Sequence, residues 1–288
     1  MKRLLLLLAA MGIVSASAMA EEPVLKLKSV GQELEIENTS GGSDIGEYVW
    51  FINSVTLGYG DWSFNLQGVK AWDIDTEAGI KSILGRAQIT ASKSVSDKLT
   101  LGTRVRLQQD YDKYYGFYNY ANGGFSSESW FWYTSNNGSA DSPDAVGIEA
   151  WPLKYTFGDF GVAWYVTGET YMGGFTDGEL KTELENQARF YWDFYKGEKL
   201  SLNAEYRLVL DHSKDIAGGD EYADTAAVDK DFGSHTLYLN VSYDVTESLN
   251  VYGYYGYEIA EKEYVKDGKT CNDKKYYGDF GIGWTYSF

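Results

Sequence analysis

Apolar and polar residues alternate along much of this chain with a period of two. Leu99, Leu101, Thr103, Val105 and Leu107 stand against Thr100, Gly102, Arg104, Arg106 and Gln108. The segment before it sets Ile83, Gly85, Ala87, Ile89 and Ala91 against Arg86, Gln88, Thr90 and Ser92. Further on, Leu184, Ala188, Phe190, Trp192 and Phe194 alternate with Glu185, Gln187, Arg189 and Asp193. Leu200, Leu202, Ala204, Tyr206, Leu208 and Leu210 alternate with Ser201, Asn203, Glu205 and Arg207. Successive side chains of a strand point to opposite faces, so each segment presents one apolar and one polar face. A strand held between lipid and a wet lumen requires that arrangement.

The pattern predicts twelve strands, at 30–38, 46–59, 61–73, 81–95, 98–110, 146–157, 160–172, 184–196, 199–211, 233–245, 248–261 and 275–288. Short turns fall at Gly60, Ser96-Asp97, Gly158-Asp159, Gly197-Glu198 and Thr246-Glu247. Longer polar loops fall at 39–45, 74–80, 111–145, 173–183, 212–232 and 262–274. Short connections at one end and long ones at the other are the mark of an outer-membrane barrel, with periplasmic turns and extracellular loops. The expected fold is therefore all-β: a transmembrane antiparallel β-barrel of twelve strands, one domain over 21–288. Within 111–145, Tyr111–Tyr120 and Ser127–Tyr133 could extend around Gly123-Gly124. Counting Ser127–Tyr133 as one more crossing would make the total odd, so the stretch is read as an external hairpin or a loop folded into the mouth. Its Trp130-Phe131-Trp132-Tyr133 run suits packing on the barrel rim better than stacking on a ligand. Tyr59, Trp62, Phe157, Phe160, Trp192, Phe194, Tyr243 and Tyr286 cluster beside the short turns, where an interfacial girdle belongs.

The two ends of the chain add direction. Lys2 and Arg3 precede an apolar stretch from Leu4 to Val14, and Ala18-Met19-Ala20 follows. That is the layout of a secretory signal peptide over 1–20, cleaved after Ala20. The last residues, Gly281-Ile282-Gly283-Trp284-Thr285-Tyr286-Ser287-Phe288, alternate and finish on an aromatic. Trp284, Tyr286 and Phe288 resemble the targeting signal read by the outer-membrane barrel assembly machinery. With the signal peptide, they make the chain similar to the Gram-negative outer-membrane porins. Twelve strands in a chain of this size also resemble the oligogalacturonate-specific monomeric porin family, in architecture and without a sharp shared motif. That resemblance implies a narrow pore lined by basic residues that attract acidic sugar oligomers.

Composition narrows the function. Twenty-five Lys and Arg against 42 Asp and Glu give a formal net charge of −17, the wrong sign for binding phosphate backbones. A single cysteine, Cys271, leaves no internal disulfide and no cysteine metal cluster. The acidic residues Asp141, Asp144, Asp220, Glu221, Asp224, Asp229 and Asp231 form no recognisable calcium loop and read as solvated surface. No cofactor or metal is expected. The five arginines after the leader are Arg86, Arg104, Arg106, Arg189 and Arg207, and alternation points all of them inward, with Lys154 in the same parity. Any barrel keeps arginine off its lipid face, because lipid exposure costs about 2–4 kcal/mol at mid-membrane. Their gathering on two neighbouring strand pairs is the informative part. Glu33, Glu35 and Glu37 on the first strand, with Glu185, Asp193 and Glu205, share the inward parity. Arginines facing carboxylates would set a transverse field that orients charged or dipolar solutes.

The expected function is a passive outer-membrane diffusion channel for small hydrophilic solutes, anionic solutes and oligosaccharides among them, acting as a monomer or trimer. Its surroundings would be outer-membrane lipid and lipopolysaccharide. Two alternatives are a non-conducting adhesive barrel working through its loops, and an outer-membrane hydrolase. The hydrolase would need His212 or His235 beside a nucleophile. Neither His212-Ser213 nor Ser234-His235 serves, because neighbours on a strand face opposite ways. An enzyme is not expected.

Overall fold

A computed structural model describes residues 23–39, 48–75, 79–136, 143–218, 227–266 and 269–288. These form fourteen strands and no helix. The first five are β1 (Lys26–Thr39), β2 (Tyr48–Tyr59), β3 (Trp62–Asp75), β4 (Gly79–Ser94) and β5 (Leu99–Gln108). Next come β6 (Tyr111–Asn122), β7 (Phe125–Asn136), β8 (Asp144–Phe157), β9 (Phe160–Met172) and β10 (Leu180–Lys196). The chain ends with β11 (Leu200–Ile216), β12 (Val228–Asp244), β13 (Leu249–Lys266) and β14 (Lys269–Ser287). Each strand pairs antiparallel with its neighbours in sequence, and β1 pairs with β14 from Ser29↔Ser287 to Thr39↔Tyr277, closing the barrel. Closure leaves no edge, so every strand finds partners for its backbone groups within hydrocarbon.

The strand count corrects the sequence-based expectation of twelve. All twelve expected strands form, and the two additional ones are β6 and β7, inside the stretch read as an external loop. They cross as a pair, so the count stays even and the later turns keep their sides. Their joint is Gly123, at φ 64° in the left-handed region where glycine carries no steric cost. On the other side, only Gln109 and Asp110 separate β5 from β6, so a short connection stands where a long loop is expected. The other loops also shrink. Residues 212–216 and 228–232 belong to β11 and β12, and most of 262–274 lies in β13 and β14. Of the expected loop 74–80, residues 74–75 and 79–80 belong to β3 and β4, while 76–78, most of the loop 39–45, and the expected signal peptide with its cleavage site lie outside the described residues.

Contacts that skip a strand identify the inner face, since only the concave side of a barrel brings such side chains together. Trp132 on β7 donates Nε1–H to Glu169 on β9 at 2.8 Å, and Lys113 on β6 reaches the same carboxylate at 3.3 Å. Tyr238 on β12 donates to Asp279 on β14 at 3.2 Å. The alternate residues are exposed and apolar: Leu237, Leu239 and Val241 on β12, Phe190, Trp192 and Phe194 on β10, Phe280 and Ile282 on β14. An outside that is apolar and an inside that is polar is the arrangement of a barrel in a membrane. Near the short turns the outer face carries a chain of rings, Phe157–Phe160–Trp192–Phe194, with centroids 5.5–6.3 Å apart. Gln32 and Asn53 interrupt this apolar face and bond to each other at 2.9 Å.

Register shifts recur along the wall, and those on β8, β11 and β12 bear on the lumen. Pro152 sits where β8 slips against both neighbours, between Ser126/Glu128 on one side and Ala150/Leu153 on the other. Proline has no N–H to give the ladder, so a bulge is where a strand tolerates it. Leu210 lacks a partner on β10, because Val209 pairs with Gln187 and Asp211 with Asn186. On β12, the pairing with β13 jumps from Asp229 to Ser234, with Phe232 at φ 58° between them.

Candidate functional site

Arg86 on β4 and Arg104 and Arg106 on β5 stand on adjacent rungs of the inner wall. Arg86 pairs with Gln108, Gln88 with Arg106, and Thr90 with Arg104. Arg104 donates Nε–H to Thr90 at 2.9 Å, and Arg106 to Gln88 at 3.0 Å. These bonds hold the side chains of Arg104 and Arg106 through Nε. Arg104 lies 4.1 Å from the Trp130 ring centroid, with Tyr115 at 5.6 Å, and Arg86 lies over Trp50 at 5.7 Å. Trp130 is itself stacked on Phe117 at 4.0 Å. Among the described residues no carboxylate stands within ion-pair distance of these three guanidiniums. An aromatic face attracts a cation without neutralising it, so the ladder keeps its full charge.

The second arginine pair is built differently. Arg189 on β10 is directly opposite Arg207 on β11. Glu205 lies between them, accepting from Arg207 Nε at 2.7 Å and standing 3.5 Å from Arg189 Nη1. Arg189 stacks on Tyr165 at 3.5 Å and on Trp151 at 5.3 Å, while Arg207 covers Tyr238 at 4.3 Å. Lys154 on β8 lies over Tyr191 at 4.2 Å. One carboxylate therefore serves two guanidiniums. These residues wall a cavity of about 600 Å³ that reaches Thr100, Asn119 and Glu128 on β5, β6 and β7.

Carboxylates occupy the wall between the two arginine groups. Glu33, Glu35 and Glu37 alternate along β1, with Asp279 of β14 opposite Glu37. Glu33 accepts from Tyr252 at 2.7 Å and from Tyr254 at 3.4 Å, two phenols of β13 reaching over β14. Among the described residues no Lys or Arg comes within ion-pair distance of Glu33 or Glu35. β1 stands three strands from β4, and β14 three strands from β11. An acidic stretch thus stands between the two arginine groups on this side of the lumen.

The remaining expected residues lie elsewhere. Asp193 bonds Lys196 at 3.0 Å on the short-turn rim, away from the arginines. Glu185 joins His212 and Asp229 above the arginines, at the long-loop end. His235 is on the outer face, bonded to Tyr206 at 2.6 Å. Ser234 gives its hydroxyl to Asp229 and not to a histidine. Trp284 and Tyr286 lie on the outer face of β14, where Trp284 pairs with Gln32 and Tyr286 with Val30 of β1, and Phe288 follows the strand with its N–H on the Lys28 carbonyl. Alternation did not single out Lys113, Glu128, Glu149, Glu169 and Asp279, or the ring-bearing inner wall of Trp50, Tyr115, Trp130, Trp132 and Trp151. The signal was present in one place: Glu128, Trp130 and Trp132 share a parity, opposite to Phe131 and Tyr133, of which Phe131 is half exposed.

No family model matches the sequence, and no curated protein matches it. Solved structures do resemble the fold. OmpT, an outer membrane protein of Vibrio cholerae in its trimer form, is 14% identical, with a TM-score of 0.45 over 92% of this chain and 100% of that one. The outer membrane protein OprD from Pseudomonas aeruginosa is 12% identical, with a TM-score of 0.45 over 95% of this chain and 96% of that one. An anion-selective porin from Comamonas acidovorans is 12% identical, with a TM-score of 0.43 over 93% of this chain and 100% of that one. The shared feature is the barrel. What passes through this one has to be argued from its own wall.

One glycine holds that wall in place. A Cβ at Gly147 would come within 2.3 Å of the Trp132 ring, which lies flat across the bare backbone and donates to Glu169 from there. Gly147→Val is expected to push Trp132 off Glu169 and to destabilise the barrel by about 1–3 kcal/mol, the cost of overpacking. A lowered urea midpoint together with a shift in tryptophan emission would register both effects; unchanged emission would contradict the packing described.

Proposed function

We propose that this chain is a passive diffusion channel of the Gram-negative outer membrane, passing small hydrophilic solutes between walls of opposite charge. The observation that carries this reading is the ladder of Arg86, Arg104 and Arg106, held over rings and, among the described residues, without carboxylate partners. A guanidinium kept only to stabilise a barrel would be paired, as Arg189 and Arg207 are through Glu205. An unpaired and immobilised one binds passing anions weakly and releases them, as conduction requires. Carboxylates and phosphates of a solute would follow the arginines, and its cationic or hydroxyl groups the Glu33–Glu35 side. Rings beside the guanidiniums suit flat or sugar-like solutes, which present both polar edges and apolar faces. Trp284, Tyr286 and Phe288 would serve as the signal for insertion by the barrel assembly machinery, after removal of residues 1–20.

The test is the reversal potential of the refolded protein in a planar bilayer under a salt gradient. Replacing Arg86, Arg104 and Arg106 by glutamine is expected to move it towards cation selectivity. Glu33→Gln with Glu35→Gln is expected to move it the other way. A folded barrel that carries no current, or two variant sets that leave the potential where it was, would overturn the reading.

A further inference from the structure

Above the arginines, on the long-loop side of the lumen, three donor atoms from three strands meet. His212 of β11 places Nδ1 2.9 Å from Asp229 Oδ2 of β12 and 3.8 Å from Glu185 Oε2 of β10. All three donor atoms lie within 4.8 Å of one another, and His212 and Asp229 are buried. Ligand atoms around a tetrahedral zinc, with bonds of roughly 2.0–2.2 Å, are spaced by about 3.3–3.5 Å. The observed separations bracket that spacing.

The other polar atom of each donor is already held. His212 Nε2 is 2.8 Å from Glu183 Oε1, the carboxylate–histidine contact that orients a metal-ligating ring. Asp229 Oδ1 takes Lys262 Nζ at 2.7 Å and the Ser234 hydroxyl, which leaves Oδ2 turned to the imidazole. Glu185 Oε1 accepts from Gln187, which leaves Oε2 on the same side. A supporting shell is therefore in place around an inward-facing trio.

The backbone departs from regularity twice to achieve this. The bulge at Leu210 reverses the parity of β11, so that His212 pairs with Glu185 on the inner face and Asp211 turns out. The irregular stretch of β12 between Asp229 and Ser234 brings Asp229 beside them. Bulges occur elsewhere in this wall too, and these two re-aim side chains from β11 and β12 towards one point, a common use of a bulge.

Charge completes the case. With His212 neutral, Glu183, Glu185 and Asp229 face Lys214 at 3.5 Å from Glu183 and Lys262 at 2.7 Å from Asp229, so one negative charge is left over. A proton on the ring would cancel it, and a divalent cation would be attracted to it. The cation would also replace the contact at 3.0 Å between the Asp229 N–H and Nδ1.

We propose that Glu185, His212 and Asp229 form a binding site for a borderline divalent transition metal such as Zn²⁺, set in the wall of the lumen. One nitrogen and two carboxylate oxygens suit zinc, cobalt or nickel better than calcium, which takes more and all-oxygen ligands. The site departs from the sequence-based expectation of no metal, and it stands whether or not the barrel conducts.

The test is zinc titration of the refolded protein in detergent micelles, followed by calorimetry, with Co²⁺ absorption as the second readout. One zinc per chain is expected. His212→Ala and Glu185→Gln should each weaken binding at least tenfold and abolish the cobalt d–d bands, while His235→Ala should leave both unchanged. Glu185→Gln keeps the side chain's shape, so it answers the question if His212→Ala does not fold. No saturable binding by the unmodified protein, or zinc bound equally by the folded Glu185→Gln variant, would overturn the site.

Discussion

Glu205→Gln is expected to lower the unfolding free energy by about 3 kcal/mol, because it leaves Arg189 and Arg207 opposite each other with no carboxylate between them. Removing one partner of a largely buried charge cluster strands the others, at a typical cost of about 3–5 kcal/mol. The lower end applies here, since lumen water still reaches Arg207, whose side chain is 28% exposed. The guanidiniums cannot simply swing apart. Stacking on Tyr165 and Tyr238 fixes their positions, and Arg189 is nearly sealed from solvent. Urea unfolding in detergent micelles measures the loss, and the double variant with Arg207→Gln should recover most of it. A double variant no more stable than Glu205→Gln alone would show that charge repulsion is not the cause.

The second large effect concerns the outer face. Leu239→Arg is expected to cost about 2–4 kcal/mol and to cripple refolding into lipid vesicles, since a guanidinium at mid-membrane depth has no polar partner there. Leu239 is half exposed on β12, five residues from the strand's end at Asp244. A strand needs about 9–11 residues to cross, which puts this side chain near the middle. Asn240, next in sequence, faces inward and bonds Asn203 at 2.8 Å. Asn240→Arg should therefore refold normally. Equal folding yields for the two variants would refute the assignment of faces, and with it the lumen described above.

Alternation succeeds where the two faces differ in polarity. In β4, β5, β10 and β11 the lipid side is aliphatic or aromatic and the lumen side charged, so the expected strands form and their arginines reach the concave face. It fails in β6 and β7 for a physical reason. Tyr114, Tyr118, Phe131 and Tyr133 face outward while Tyr115, Phe117, Trp130 and Trp132 face inward, so both sides read as apolar. Rings belong on that inner wall because Arg104, Arg106 and Lys113 lie over them. An aromatic that serves a cation cannot be told by polarity from one that serves lipid. The missing pair of strands and the missing half of the candidate site thus share one cause.

Fold class, an even number of crossings, the acidic balance and the inward parity of the arginines are legible in the chain before it folds, since each follows from local alternation or plain counting. Which charges are paired followed only from the folded wall, because Glu205 meets both Arg189 and Arg207 while among the described residues no carboxylate reaches Arg86, Arg104 or Arg106. The folded wall also decided what lies past a bulge. Period-two counting carries His212 to the outer face with Leu210, and a single extra residue in β11 turns it inward to Glu185 and Asp229. Bulges and contacts that skip a strand depend on how distant segments fit around a closed wall, and closure is a property of all fourteen strands together.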